Sequence, residues 1–201
     1  MNKARVKTIA SAVLAVGITS MTIGHTAQAT IVYDRNGFDN SIVDIAVAVN
    51  ESTGEFSTLI AALVELRLTG LLDRLGNFTV FAPTDAAFSG LGLDASNIGD
   101  AFPKKVLRDI IFYHLTFGKK FSGDVLGANR IRMLNRDKIF PIVNDTGAFV
   151  VDGTGNAARI LVEEGLFDIE GDNGVIHAID QVLLPPEFGT NQDDDEIDDD
   201  D

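Results

Sequence analysis

The sequence holds 201 residues, 45% of them hydrophobic and 23% charged, with no Cys, no Trp and a formal net charge of −14. That length suits one domain with a real core, and the lack of cysteine excludes a disulfide scaffold, a thiolate metal site and a cysteine nucleophile. So acidic a balance also argues against a nucleic-acid-binding protein, because phosphate contacts need a cationic face.

Residues 1–29 open with Lys3, Arg5 and Lys7, continue through an apolar stretch from Ile9 to Ile18 and reach Ala27-Gln28-Ala29. This order is that of a secretory signal cleaved near Ala29. The apolar run is short and broken by Ser11, Thr19 and Ser20, and no other stretch approaches the roughly 20 apolar residues that crossing a bilayer requires. The expectation is a soluble chain delivered to the extracellular space, cell surface or periplasm, with residues 30–38 as an N-terminal extension.

The first half of the remaining chain reads as helical. Ser41 and Asp44 form a capping-box pattern ahead of Ile42, Ile45, Ala46 and Val49, an i, i+3, i+4, i+7 stripe. A second stripe, Phe56 to Leu66, is expected to stop at Gly70 and to be followed by a short turn closed by Gly76. Phe78-Thr79-Val80-Phe81, β-branched and aromatic and closed by Pro83, reads as a strand. Thr84 and Asp85 then restart a helix, and Pro103 opens another through Leu115, with Val106, Leu107, Ile110, Ile111 and His114 on one face and Lys104, Lys105, Arg108 and Asp109 on the other.

After Gly118 the helical period is not expected to return. Segments 131–134, 138–143, 148–152, 159–163, 166–169 and 175–184 are short, rich in Ile, Val and Phe, and separated by turn chemistry such as Asn144-Asp145-Thr146-Gly147 and Gly171-Asp172-Asn173-Gly174. Helices first and strands last, without βαβ alternation, imply an α+β fold and not a parallel doubly wound sheet. Asn173-Gly174 is expected to supply positive φ for a tight hairpin. The strand after it should be central, with Val175, His177 and Ile179 on one face and Ile176, Ala178, Asp180 and Val182 on the other. At the far end, residues 193–201 carry eight carboxylates in nine positions, and self-repulsion there predicts a disordered acidic tail over 187–201.

Three segments resemble the fasciclin domain family. Thr79-Val80-Phe81-Ala82-Pro83-Thr84-Asp85-Ala86-Ala87-Phe88 is similar to its first signature, and Asn173-Gly174-Val175-Ile176-His177-Ala178-Ile179-Asp180 begins its second. Tyr113-His114 is similar to the Tyr-His dipeptide between them. The resemblance covers residues 39–186 as one domain and implies a fasciclin-like α+β fold, N-terminal helices packed on a mostly antiparallel β-sheet wedge or sandwich, with a non-catalytic role in adhesion or matrix association. In animal members the Tyr-His segment and an Asp-Ile dipeptide are linked to integrin contact, and the resemblance places Tyr113, His114, Asp168 and Ile169 there. The residues themselves read instead as packing groups and a strand end.

Catalysis has no visible constellation. His114 and His177 read as core histidines bonded to backbone, Ser89 and Ser122 lie in no nucleophile elbow, and the acidic loops 152–163 and 168–179 fail the helix-loop-helix calcium pattern. No cofactor or metal is expected. What remains is a charge asymmetry. From Lys104 to Lys138 nine cations face three acids, while residues 30–192 as a whole sum to −9. Lys104, Lys105, Arg108, Lys119 and Lys120 are therefore candidates for contact with a cell-surface or matrix protein or an anionic polysaccharide. A different class of function, carriage of an apolar ligand such as a carotenoid, would use Phe56, Phe78, Phe81, Phe88 and Phe112, from 13 Phe in all, to line a groove.

Overall fold

The computed structural model describes residues 40–189 apart from Leu75 and Glu163. The expected signal, the extension and the acidic run 193–201 lie outside the described residues. Helix α1 (Ile42–Thr53) begins as the capping box requires. Ser41 Oγ accepts from Asp44 N at 3.2 Å, Asp44 Oδ2 accepts from Ser41 N at 3.0 Å, and Gly54 ends the helix at φ 77°.

Helix α2 (Ser57–Glu65) departs from the sequence reading at both ends. Its cap position, Phe56, has no side-chain acceptor. It stops not at Gly70 but at Arg67, which takes φ 56° while Arg67 N donates to Val64 O and Leu68 N to Leu63 O. This is a Schellman closure with arginine in the usual glycine place. Buried Leu68 at the following position supplies the apolar contact that such a closure favours. Gly70 falls inside the next helix, α3 (Thr69–Arg74).

Strand β1 (Phe78–Pro83) is followed by α4 (Asp85–Ser89), α5 (Ile98–Ala101) and α6 (Lys104–Tyr113). The chain then forms β2 (Leu115–Phe117), where the sequence suggested continued helix and loop, and the short helix α7 (Ser122–Leu126), where no helix was expected. Six strands follow: β3 (Ile131–Arg132), β4 (Lys138–Asn144), β5 (Gly147–Val151), β6 (Ala157–Arg159), β7 (Ile169–Gly171) and β8 (Gly174–Ile179). Pro186–Phe188, assigned to the end of the domain and the start of the tail, closes the described chain as a 3-10 turn.

The strands form two four-stranded sheets, β2-β1-β8-β7 and β3-β4-β5-β6. The second is an antiparallel meander, as the turn spacing implied. The first is not, because β1 and β8 run parallel, from Phe78 opposite Gly174 to Pro83 opposite Ile179. Every residue of both strands is buried, which suits a parallel pair covered on two faces. Phe78, Val80, Ala82, Ile176 and Ala178 join a core with Ile42, Leu59, Leu63, Leu107 and Ile111 of the helices. Phe81 and Ile179 point the other way into a second core with Ile131, Ile139 and Val150 of the meander. The period-2 alternation thus separates two hydrophobic cores across one sheet.

The tight turn between β7 and β8 lies where the sequence placed it, with Asp172 and Asn173 as its loop and Gly174 opening β8 opposite Gly171, and Asn173-Gly174 is required there for a different reason. Neither residue has positive φ. A Cβ on Gly174 would lie 2.2 Å from Ile42 Cγ2 and 2.6 Å from Phe78 O. Asn173 Oδ1 accepts from Ile42 N at 2.7 Å, and its Nδ2 donates to Leu72 O at 2.8 Å. The pair is selected by docking on the N-terminus of α1, not by hairpin geometry.

Candidate functional site

The signature residues do structural work. Thr84 Oγ1 caps α4 by accepting from Ala87 N, as expected. Asp85, expected to serve the first turn of its own helix, instead accepts from Ser57 N at 3.2 Å and Thr58 N at 2.8 Å, satisfying the start of α2 that Phe56 leaves uncapped. Thr79 Oγ1 donates to Gly118 O and accepts from Lys120 N, tying the segment after β2 to β1. Asp180 Oδ1 accepts from Arg159 N at 2.7 Å, fastening the end of β8 to β6. Phe81, Ala82 and Phe88 are core, and Pro83 closes β1.

The two histidines are buried and doubly bonded. His114 Nε2 accepts from Leu183 N at 2.9 Å, which leaves Nδ1 as the donor to Ile110 O at 2.8 Å. His177 carries the opposite tautomer: Nδ1 accepts from Asp168 N at 3.2 Å, and Nε2 donates to Lys120 O at 2.8 Å. Burial lowers the pKa of both, that of His114 to about 4, so both are neutral at neutral pH. Tyr113 is fully buried, and its hydroxyl donates to Lys138 O at 2.8 Å. The Tyr113-His114 pair therefore packs the end of α6 and presents nothing outward, the packing role of the residue-level reading and not the outward contact implied by the resemblance. Asp168 does not end a strand. It turns at φ 54° just before β7, with Oδ1 accepting from Ser122 N at 2.7 Å, while Ile169 begins β7 and packs on the first core.

The aromatic groove proposed for an apolar ligand is not formed. Phe56, Phe78, Phe81 and Phe88 are at most 1% exposed. The void between the helices and the sheet measures about 20 Å³, room for about one water. Phe112 alone of the five reaches a surface groove.

The basic segment does not make one surface either. Lys104 Nζ lies 2.6 Å from Glu65 Oε1 and holds that carboxyl below its usual range, and Lys119 Nζ lies 2.9 Å from Glu170 Oε1. Lys105 and Arg108 line a groove shared with Asp109 and Glu187. Lys120, by contrast, joins Arg130, Arg132 and Arg136 around an open cavity of about 640 Å³. The three arginines belong to the basic run but were not among the candidates singled out.

Backbone bonding builds this cavity. Thr116 Oγ1 donates to Arg132 O and Leu134 N to Leu115 O, both at 2.8 Å, which lays β3 and its turn beside β2. Ile131 and Met133 turn inward while Arg132 between them is exposed. The turn is tight: Met133 N donates to Asp137 O, Arg136 N to Met133 O, and Arg136 takes φ 84°. Phe117 at the rim is 68% exposed, the most open large apolar side chain among the described residues, yet it is stacked on buried Phe78 at 5.5 Å. Asp124 is the single acid of the lining, and its carboxylate accepts from Phe121 N. Such a site can hold an anion. It brings together no nucleophile, base and orienting acid. Among the described residues no three His, Asp or Glu side chains converge as a metal site, and no helix is long and apolar enough to cross a membrane.

The fasciclin domain profile matches residues 54–185. The Synechocystis protein sll1735 is 38% identical over 146 residues, 72% of this chain and 97% of that protein. The transforming growth factor-beta-induced protein ig-h3 of Oryctolagus cuniculus is 36% identical over 141 residues, 69% of this chain but only 19% of that longer protein. In a FAS1 domain pair from the insect cell adhesion molecule Fasciclin I, the fold recurs with a TM-score of 0.57 at 18% identity, over 76% of this chain and 53% of that one. With one domain profile spanning most of the folded residues and a relative aligned along almost its whole length, this chain belongs to the fasciclin family.

Proposed function

We propose that this chain is a secreted, non-catalytic binding protein that attaches to a cell surface or extracellular matrix by contact with an anionic partner. The observation that carries the reading is how differently the polar groups are used. The histidines and acids of the family signatures are engaged by backbone groups, whereas four cations around the 640 Å³ cavity have no carboxylate at ion-pair distance among the described residues. A protein whose signature polar groups are engaged internally and whose open cations face solvent is equipped for recognition. The cell-adhesion description of Fasciclin I fits this reading, as does the signal-like start of the sequence.

The test is retention of the labelled secreted chain on immobilised hyaluronan, polygalacturonate, heparin and native matrix material, with neutral dextran as reference. Retention on at least one anionic surface, released as salt rises through about 0.5 M, is expected. Retention on none of them would overturn the proposal.

A further inference from the structure

We infer that the cavity between β2 and β3 is a seat for an acidic sugar of a carboxylated polysaccharide, with Arg130, Arg132 and Arg136 taking the carboxylate and Phe117 receiving the apolar face of the ring. The inference rests on the proposed binding role and names its site and partner chemistry.

Four observations converge. The volume, about 640 Å³, lies in the range of small-ligand sites. Three of its four cations are arginines, whose planar fork engages a carboxylate through two parallel hydrogen bonds. The backbone that bears them is fixed before any ligand arrives, by the Thr116 to Arg132 bond and by the turn that holds Arg136 at φ 84°, which lowers the ordering cost of binding. Strain of this kind in a non-glycine residue gathers at functional positions. Finally, Phe117 is exposed on one side and stacked on Phe78 on the other. An aromatic face held open to water beside a cluster of cations suits a ligand that is anionic at one edge and apolar on one face, as a uronic acid ring is.

Charge spacing narrows the polymer. Residues 30–192 outside the basic run 104–138 sum to −15, so a duplex carrying a charge every ~1.7 Å has one small cationic cavity to set against a chain that is otherwise strongly acidic. A polyuronate carries a single carboxylate per sugar, so one ring in the cavity brings far fewer charges onto the acidic remainder of the chain. An acidic peptide, including residues 193–201 of the chain itself, supplies carboxylates but no sugar C–H face for Phe117.

The experiment measures affinity of the secreted chain for oligogalacturonate, poly-aspartate peptide and a single-stranded oligonucleotide by calorimetry. It uses the unaltered chain and the variants R132Q/R136Q, F117A and K105Q/R108Q, each checked for an unchanged thermal transition. Expected is oligogalacturonate binding weakened at least about tenfold per arginine replaced. F117A should weaken oligogalacturonate several-fold while leaving any poly-aspartate binding unmoved. Binding that survives R132Q/R136Q, or that is lost through K105Q/R108Q instead, overturns the site but leaves the binding role standing. Poly-aspartate or the oligonucleotide binding more tightly than oligogalacturonate, with F117A neutral, overturns the sugar assignment. Retention on native matrix with no affinity for oligogalacturonate overturns this inference alone.

Discussion

Two regions of this domain hold polar side chains in quantity, and they differ in what those side chains touch. In the heart of the fold, around β1, β8 and their turns, Thr79, Asp85, His114, Asn173 and His177 each meet backbone groups of segments far away in sequence. At the rim, Lys120, Arg130, Arg132 and Arg136 surround open space. The same kinds of group that would mark an active site in another protein are here the internal fastenings. The residues free to act are those no signature includes. Availability, not residue type, separates the two regions.

The sharpest break of the heart is Gly174→Ala. A methyl placed 2.2 Å from Ile42 and 2.6 Å from a carbonyl of β1 forces either α1 or the central strand pair to move, and a loss above about 4 kcal/mol is expected. Loss of the cooperative thermal transition in circular dichroism would show it, and a near-native melting curve would contradict the docking account. Asn173→Ala should follow at about 3 kcal/mol, since it leaves Ile42 N and Leu72 O without their partner in a buried place. Urea titration gives the number, and a change under 1 kcal/mol would mean that water replaces the amide.

Acid tests the same region without a mutation. His114 has a folded pKa of about 4, below its unfolded value, and protonating Nε2 removes the acceptor used by Leu183 N. Its unfolded form binds the extra proton first, so its stabilisation is complete above about pH 6.5 and is lost as pH falls toward 4. The contribution is about 3 kcal/mol at most, and His177 shifts in the same direction. A fall in melting temperature from pH 7 to 4 that is smaller in His114→Gln than in the unaltered chain, the remainder including the share of His177, would assign the effect; equal falls in the two would contradict it. The smallest change belongs to the rim. Arg132→Gln and Phe117→Ala should each move stability by no more than about 0.5 kcal/mol, and a loss of 2 kcal/mol at either would erase the contrast between the regions.

Much of this was legible in the sequence because it is local. The Ser41 capping box, the Thr84 cap, the strand at Phe78 and the turns of the meander depend on neighbours a few residues apart, where spacing carries the information. What periodicity did not reveal was partnership over distance. Nothing near Asp85 announces that its carboxylate serves α2, and nothing in Phe78–Pro83 shows a parallel partner in the last strand. Gly174 was noticed through a turn preference, while its actual requirement is the closeness of Ile42. The cavity was hidden in the same way. Counting cations found the basic run, but Lys120, Arg130, Arg132 and Arg136 meet only because β2 bonds to the start of β3, whereas Lys104 and Lys119 are drawn off by Glu65 and Glu170.

The parallel pairing of β1 with β8 also sets the order in which the molecule can be made. Phe78 and Gly174 are partners ninety-six positions apart, so both cores share a wall that is absent until almost the whole domain is available. Closing so long a loop has an entropic cost that precedes any reward from the contacts it brings together, and topologies dominated by distant pairings fold in milliseconds to seconds, not microseconds. A chain emerging from its N-terminus can form α1 and α2 early, but it remains without a centre until the strand at 174–179 arrives.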